Sequence, residues 1–197
     1  MTRAFRQQAD EQILDRAAVL FARQGFAKTS VQDVADAVGL SKAGLLHHFP
    51  SKDALHSAVL AQARTLGEHA SAALRDLPAG AARDRRAVEL LVDVALAHPG
   101  LVSLMLTPAV QGLPAGAAEE DAGPWAFAAF GVDPQTADRE RCVRVAGALA
   151  AIAVLTLGAR QNGDAAALRP HIIATSFDAL GHRRPGASSS RPDQVEA

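Results

Sequence analysis

The sequence predicts an all-α protein in two parts, a short three-helix head and a larger helical body. Three observations carry this. Alanine, the strongest helix former, is the commonest residue, while tyrosine is absent and tryptophan occurs once, so strand formers are scarce. Apolar residues return at helical spacing along most of the 197 residues. Glycines and prolines, several with a capping residue nearby, divide that pattern into segments of helix length. At 49% hydrophobic, the chain can bury a core.

The elements follow in order. Ile13, Leu14, Ala17, Ala18, Leu20 and Phe21 form one stripe of a first helix, from about residue 9 to 23, that stops at Gly25. Ser30 caps a second helix, with Asp33 placed to complete a capping box, and Gly39 ends it. Ser41 caps a short third helix, residues 42–48, closed by Phe49 and Pro50 because a residue before proline avoids the helix. Ser51 caps a long fourth helix reaching about Asp76, with Asp53 in its first turn. A fifth helix covers 83–97 and is broken at His98, Pro99 and Gly100. A sixth covers 101–110 and is kinked at Pro108. Residues 112–124 read as a loop, and 124–130 as a short helix. Two long helices follow, over 134–160 and 164–180, the regular part of the last beginning near Pro170. From His182 the composition is that of a disordered tail. The expected domains are 1–50, 51–181 and the tail 182–197.

Composition excludes several classes. With 20 Lys and Arg against 21 Asp and Glu, the chain is neither a basic nucleic-acid coat nor an acidic disordered protein. The one cysteine, Cys142, forms no internal disulfide and no metal knuckle, and an inert thiol is its plainer reading. No apolar run reaches the roughly 18 residues of a membrane span, and residues 1–10 are polar rather than signal-like. These features predict a cytoplasmic protein with no membrane partner. Charge is uneven, however. Lys28, Lys42 and Lys52, the only lysines, fall in one short window that also holds His47 and His48, with His56 just beyond. A local basic surface attracts phosphate even on a neutral chain, although charge alone favours an ordinary solvated face.

The two short helices around Gly39 form a helix-turn-helix pattern, with Val34, Ala35, Val38, Leu40 and Leu45 as its small core. In such a motif the second helix enters the major groove and its N-terminal part meets base edges. The stretch Ile13-Leu14-Asp15-Arg16-Ala17-Ala18-Val19-Leu20-Phe21-Ala22-Arg23-Gln24-Gly25-Phe26 resembles the first helix of TetR-family transcriptional regulators. Thr29 to Ala35, Val38-Gly39-Leu40-Ser41-Lys42, Leu45, His48-Phe49-Pro50-Ser51-Lys52 and Ala54-Leu55 continue the resemblance, over residues 13–60. It departs at Leu45-Leu46, where the family usually carries Leu-Tyr and the tyrosine commonly touches phosphate. It departs again at Ala43 and Gly44, positions that often hold Gly and Thr.

DNA contacts are expected from Thr29, Ser30, Ser41, Lys42, Ala43, Gly44, His47, His48 and Lys52. Lys42 suits a phosphate or a guanine edge. Lys52, at the start of the fourth helix, suits a phosphate, and the resemblance implies that role. Ser41 caps, binds phosphate, or does both, while Thr29 and Ser30 are caps first. His47 is the stronger base contact of its pair, and His48 is expected half-buried beside Phe49. Adjacent histidines point to different faces, so His47, His48 and His56 make no metal site, and neither metal nor cofactor is expected. Arg3 and Arg6 form either an arm near DNA or a frayed end.

The resemblance implies an effector site in the body. Its candidate residues are His98, Leu101, Leu104, Met105, Gln111, Trp125, Phe127 and Phe130, with Ser103 and Thr107 as further polar groups; a solid core is the plainer alternative. It also implies a homodimer through the helices around 138–160 and 164–180. Val143, Ala146, Gly147, Ala150, Ala151, Val154 and Gly158 offer small residues on the first, and Leu168, Ile172, Thr175, Ser176 and Ala179 face them from the second. The whole pattern implies a nucleoid-associated repressor released from a palindromic operator by a small molecule. An enzyme is disfavoured, since no phosphate loop, GxSxG elbow or paired-histidine metal motif occurs. The stronger rival is a helical protein-interaction module of the same fold that has lost DNA binding, because Gly44 and Leu46 break the usual pattern.

Overall fold

A computed structural model describes the backbone of residues 3–111 and 124–182 and the side chains of 6–105 and 125–182. The expected loop over 112–124 (Pro124 apart), the Gln111 side chain and the tail beyond His182 lie outside the described residues. Within them the chain is helical, with no strand: α1 Arg3–Gln24, α2 Val31–Ala37, α3 Lys42–His48, α4 Lys52–Ala73, α5 Ala81–Ala97, α6 Pro99–Gln111, α7 Pro124–Ala129, α8 Arg139–Asn162 and α9 Ala165–Ala179.

Local chemistry explains the boundaries. Gly25 and Gly39 take φ of +81° and +71°, the left-handed conformation that ends α1 and turns the chain after α2. α1 starts earlier than expected, so Arg3 and Arg6 belong to its first turns. α8 starts later than Pro134. Asp133 accepts from the Gln135 N–H at 2.9 Å and the Thr136 hydroxyl at 3.1 Å, closing a turn there, and Asp138 caps the helix instead. α9 begins at Ala165, not at Pro170; the proline lies inside it. One missing backbone bond is tolerated because α9 is held along its length by α8 and α5. Pro99 does not break a helix but begins one, leaving His98 as the sole link between α5 and α6, which meet at a bend of 107°.

Two cores result. In the head, Ile13, Leu14, Ala17, Ala18 and Phe21 of α1 meet Val34 and Ala35 of α2, and Leu45 of α3. That core runs past residue 50, drawing in Leu55, Val59 and Ala63 of α4 and Leu101 of α6. The body core gathers Leu74, Val88, Leu91, Val92, Phe130, Val145, Ala148, Ile152, Ile172 and Leu180. Buried polar ties fasten its ends. Asp84, 1% exposed, accepts from Arg141 at 2.6 Å and contacts His182 Nε2 at 2.7 Å. Arg83 donates to the carbonyl oxygens of Leu74, Leu77, Ala128 and Ala129, joining the end of α4 to α7.

α8 departs from the expectation that no segment reaches membrane-spanning length. Among the described residues it is, as a single helix, long and apolar enough, with a mean hydropathy of 2.0 over its best window. Alanines and β-branched residues produce that value. One face, with Val145, Ala148, Ile152, Ala153, Thr156 and Ala159, is buried in the body.

Candidate nucleic-acid interface and ligand cavity

The third helix is positioned from both ends. Ser41 Oγ accepts from the Gly44 N–H at 3.0 Å, satisfying a free donor of the first turn. At the other end His48 Nδ1 lies 2.6 Å from Asp10 Oδ1, tying α3 to α1. Between them Leu45 is 1% exposed and anchors the helix in the head core. Lys42, Ala43 and His47 remain exposed on its outer side, with Gly44 and Leu46 half-exposed. A Cβ on Gly44 would stand 3.3 Å from Ser41 Oγ, so the glycine leaves room for the cap.

The other candidate residues divide by environment. Ser30 closes the expected capping box: its Oγ accepts from the Asp33 N–H at 3.1 Å, and Asp33 Oδ2 accepts from the Ser30 N–H at 2.8 Å. Donation to the carboxylate by the Ser30 N–H, and then by the Ser30 hydroxyl, holds Asp33 below its ordinary 3.8. Thr29 is 1% exposed, and its hydroxyl donates to the Gly25 carbonyl at 3.0 Å, which makes it an internal tie between α1 and α2. His48 is likewise turned inward by Asp10. Lys52 is only half-exposed; its Nζ donates to the Phe26 carbonyl at 3.0 Å and lies 4.3 Å from the centre of the Phe26 ring. Its ammonium thus braces the α1–α2 turn. Exposed Lys28 in that turn was absent from the expected contacts, although it belongs to the same lysine cluster. No group of three metal-ligating side chains occurs among the described residues.

In the body, a cavity of about 300 Å³ opens among α4, α5, α6, α7 and α8. His98, Leu101, Met105, Trp125 and Phe127 line it as expected. Two expected residues do not. Leu104 packs toward the head core, and Phe130, 1% exposed, is committed to the body core. Sequence reasoning missed Leu66 of α4, Leu91 and Val94 of α5, and Leu149 and Ile152 of α8. Their periodicity signals burial only and cannot reveal that a void lies between them. Trp125 packs closely against α4: a Cβ on Gly67 would come within 2.5 Å of its ring. The indole Nε1 is buried without an acceptor among the described residues.

A second, polar cleft of about 690 Å³ separates the head from the α5–α6 bend, with Asp15, Arg16, Arg160 and His98 among its walls. Beside it Asp15 Oδ1 accepts from the Gly100 N–H at 2.7 Å. Here α6 presses on α1 so closely that a Cβ on Gly100 would overlap the Asp15 carbonyl oxygen, 1.9 Å away. Burial raises the Asp15 carboxyl above its ordinary 3.8, against the opposing pull of the Gly100 N–H and His98.

The family match falls on this same division. Residues 13–59, the head and the start of α4, match the model of the family described as bacterial regulatory proteins, tetR family. The head matches the TetR family. This TetR-type head is 45% identical over 49 residues to the transcriptional repressor KstR2 of Rhodococcus jostii, covering 25% of this chain and 24% of that one. The transcriptional regulator RutR of Escherichia coli is 32% identical over 102 residues, which are 52% of this chain and 48% of RutR. The chain thus spans about a quarter to a half of the length of these curated relatives. A TetR-like transcriptional regulator from Rhodococcus sp. RHA1 shares the fold, with a TM-score of 0.57 over 93% of this chain and 100% of its own, at 20% identity.

Proposed function

We propose that the protein is a ligand-controlled transcriptional regulator, a homodimer that holds a palindromic DNA operator through α3 and leaves it when a small molecule enters the body. The observation that carries this is α3 itself. It is capped by Ser41, tied by His48 and anchored by Leu45, yet presents Lys42, Ala43 and His47 outward within a TetR-type head. A major groove about 12 Å wide admits one such helix. Lys42 and His47 take the direct contacts, and Ser30, Ser41 and Gly44 offer backbone and hydroxyl groups beside them. Thr29, His48 and the main part of Lys52 act by positioning. Residues 1–50 are the reading unit and 51–181 the regulatory one, to which His182 is fastened through Asp84 rather than belonging to a tail.

Dimerisation is supported by the surface of the body. Among the described residues, the large hydrophobic side chains left exposed are Val143, Val154 and Leu155 of α8 and Leu168 of α9. Such a patch on two antiparallel neighbours suits a four-helix bundle with a two-fold mate. Val143, Ala146, Gly147, Ala150 and Val154 lie on that outer face; Ile172 and Ser176 of the expected α9 face are buried within the chain instead. The two α3 helices must then reach grooves one turn of DNA, about 34–36 Å, apart. Two contacts link cavity to head: Trp125 against Gly67 of α4, and Gly100 of α6 against Asp15 of α1. A ligand that favours one arrangement of these helices shifts the spacing. Repression is favoured because KstR2, the relative of the head, is named a repressor; the site of action is then the cytoplasm, on the nucleoid. The test is a salt titration of duplex binding, whose logarithmic slope falls by about 0.9 for each phosphate contact. A slope near zero would instead favour the protein-interaction reading, which half-exposed Leu46 supports.

A further inference from the structure

The body cavity restricts what can enter it. Its volume of about 300 Å³ is at the small end of the roughly 300–1,000 Å³ range of ligand sites. Leu66, Leu91, Val102, Met105, Phe127 and Leu149 give it an apolar wall, and no carboxylate, lysine or arginine lines it among the described residues. A charged ligand group would lose its water there without gaining a counter-ion, which disfavours its entry. The polar atoms of the wall's side chains belong to His98 and Trp125. The indole N–H can only donate; it is buried away from the cavity space, with no acceptor among the described residues. His98 stands where the apolar cavity adjoins the polar cleft, and a neutral imidazole can donate as well.

We infer that the cavity takes an uncharged, largely apolar small molecule whose one polar group, such as a carbonyl oxygen, hydrogen-bonds to His98. This rests on the reading of the body as a regulatory site, and it names the chemical class of the regulator. A carbonyl oxygen can accept from the His98 imidazole, whereas a hydrocarbon leaves that group unused and an ammonium or carboxylate group meets no counter-ion in the wall.

The test uses the full-length protein and the uncharged dye N-phenyl-1-naphthylamine. Trp125 is the only tryptophan, so the dye in the cavity quenches its emission by energy transfer. Displacement of the dye at pH 7.5 then ranks three compounds of one chain length: 2-nonanone, nonanoate and nonylammonium. The ketone is expected to displace it at a concentration at least tenfold below either ion. Ala153→Phe, which fills the cavity from α8, is expected to abolish dye binding with unchanged helicity, and Val102→Phe replaces it should that variant fail to fold. His98→Leu should retain the dye and narrow the advantage of the ketone. Absence of dye binding, or equal or stronger displacement by either ion, would overturn the inference. Duplex binding is measured separately without added compounds, so failure of the DNA-binding reading leaves a distinct signature.

Discussion

The head and the body solve different problems with the same helices. In the head, short helices are held by named polar ties: Ser30 with Asp33, Ser41 with Gly44, Thr29 with Gly25, Lys52 with Phe26. The first three ties are local and the fourth fastens the start of α4 to a turn distant in sequence, and the working surface is what the ties leave outside. The body has long alanine-rich helices, an empty space between them and an apolar face left uncovered. Its proposed work lies in gaps and surfaces rather than in particular side chains. A surface for a rigid polymer must be fixed in advance, whereas a regulatory core must keep room to rearrange.

The largest effect is expected from the uncovered face. Val154→Asp places a carboxylate, twice per dimer, where α8 is proposed to meet its mate. Sedimentation should show a monomer, and duplex affinity should fall by about a hundredfold or more, since each 1.4 kcal/mol of lost assembly is tenfold. An unchanged dimer would remove α8 from the interface. Next is the body's buried tie. Asp84→Ala leaves Arg141 unpaired, and about 3 kcal/mol of stability should be lost in denaturant unfolding. That is the low end for a broken buried pair, because Arg141 is 28% exposed.

Two lysines sharpen the contrast within the head. Lys42→Ala should leave thermal stability unchanged while reducing the salt slope of DNA binding by about 0.9. Lys52→Ala should lower stability by about 1 kcal/mol, because it removes a hydrogen bond and a cation–π contact. Equal effects of the two on stability would erase the distinction between contact and brace.

A smaller effect concerns the junction of the two regions. The folded-state carboxyl of Asp15 titrates above 3.8, so its contribution to stability is full below that pH and is lost as pH rises through the raised value. Asp15→Asn keeps an acceptor for the Gly100 N–H and removes the ionisation. Its melting temperature should therefore gain on the wild type as pH rises from 3.8, and a constant difference would contradict the burial argument. Asp33 has the opposite sign, its stabilising effect being present above 3.8 and lost as pH falls through its lowered value. The smallest change is Gly44→Ala. Better helix propensity, up to about 1 kcal/mol, is offset by the 3.3 Å approach to Ser41 Oγ, so calorimetry should record only a few tenths.

The same contrast decided what could be read from the sequence. The bounds of α3 were legible because Ser41 opens it and Phe49-Pro50 closes it, signals that act within one turn. The capping box at Ser30 was legible for the same reason. Thr29 was less so, since a hydroxyl spent on a buried carbonyl looks like an exposed one in the sequence. Lys52 hid similarly, because the Phe26 carbonyl that holds it comes from a distant turn. In the body, Pro134 and Pro170 suggested helix starts that an Asp133 turn and the packing of α9 override. Leu104 and Phe130 share the composition of a cavity wall, but the bend at His98 and the end of α7 send them into solid cores. A void has no residue of its own, so the contributions of Leu66 and Leu149 became visible only in three dimensions.

The most direct test of the central claim is selection of binding sites from random duplexes by the purified, full-length protein. The account predicts an inverted repeat with half-site centres about 10–10.5 base pairs, or a multiple, apart, lost with Lys42→Ala. Failure to enrich any duplex, or enrichment of a single site without two-fold symmetry, would contradict it.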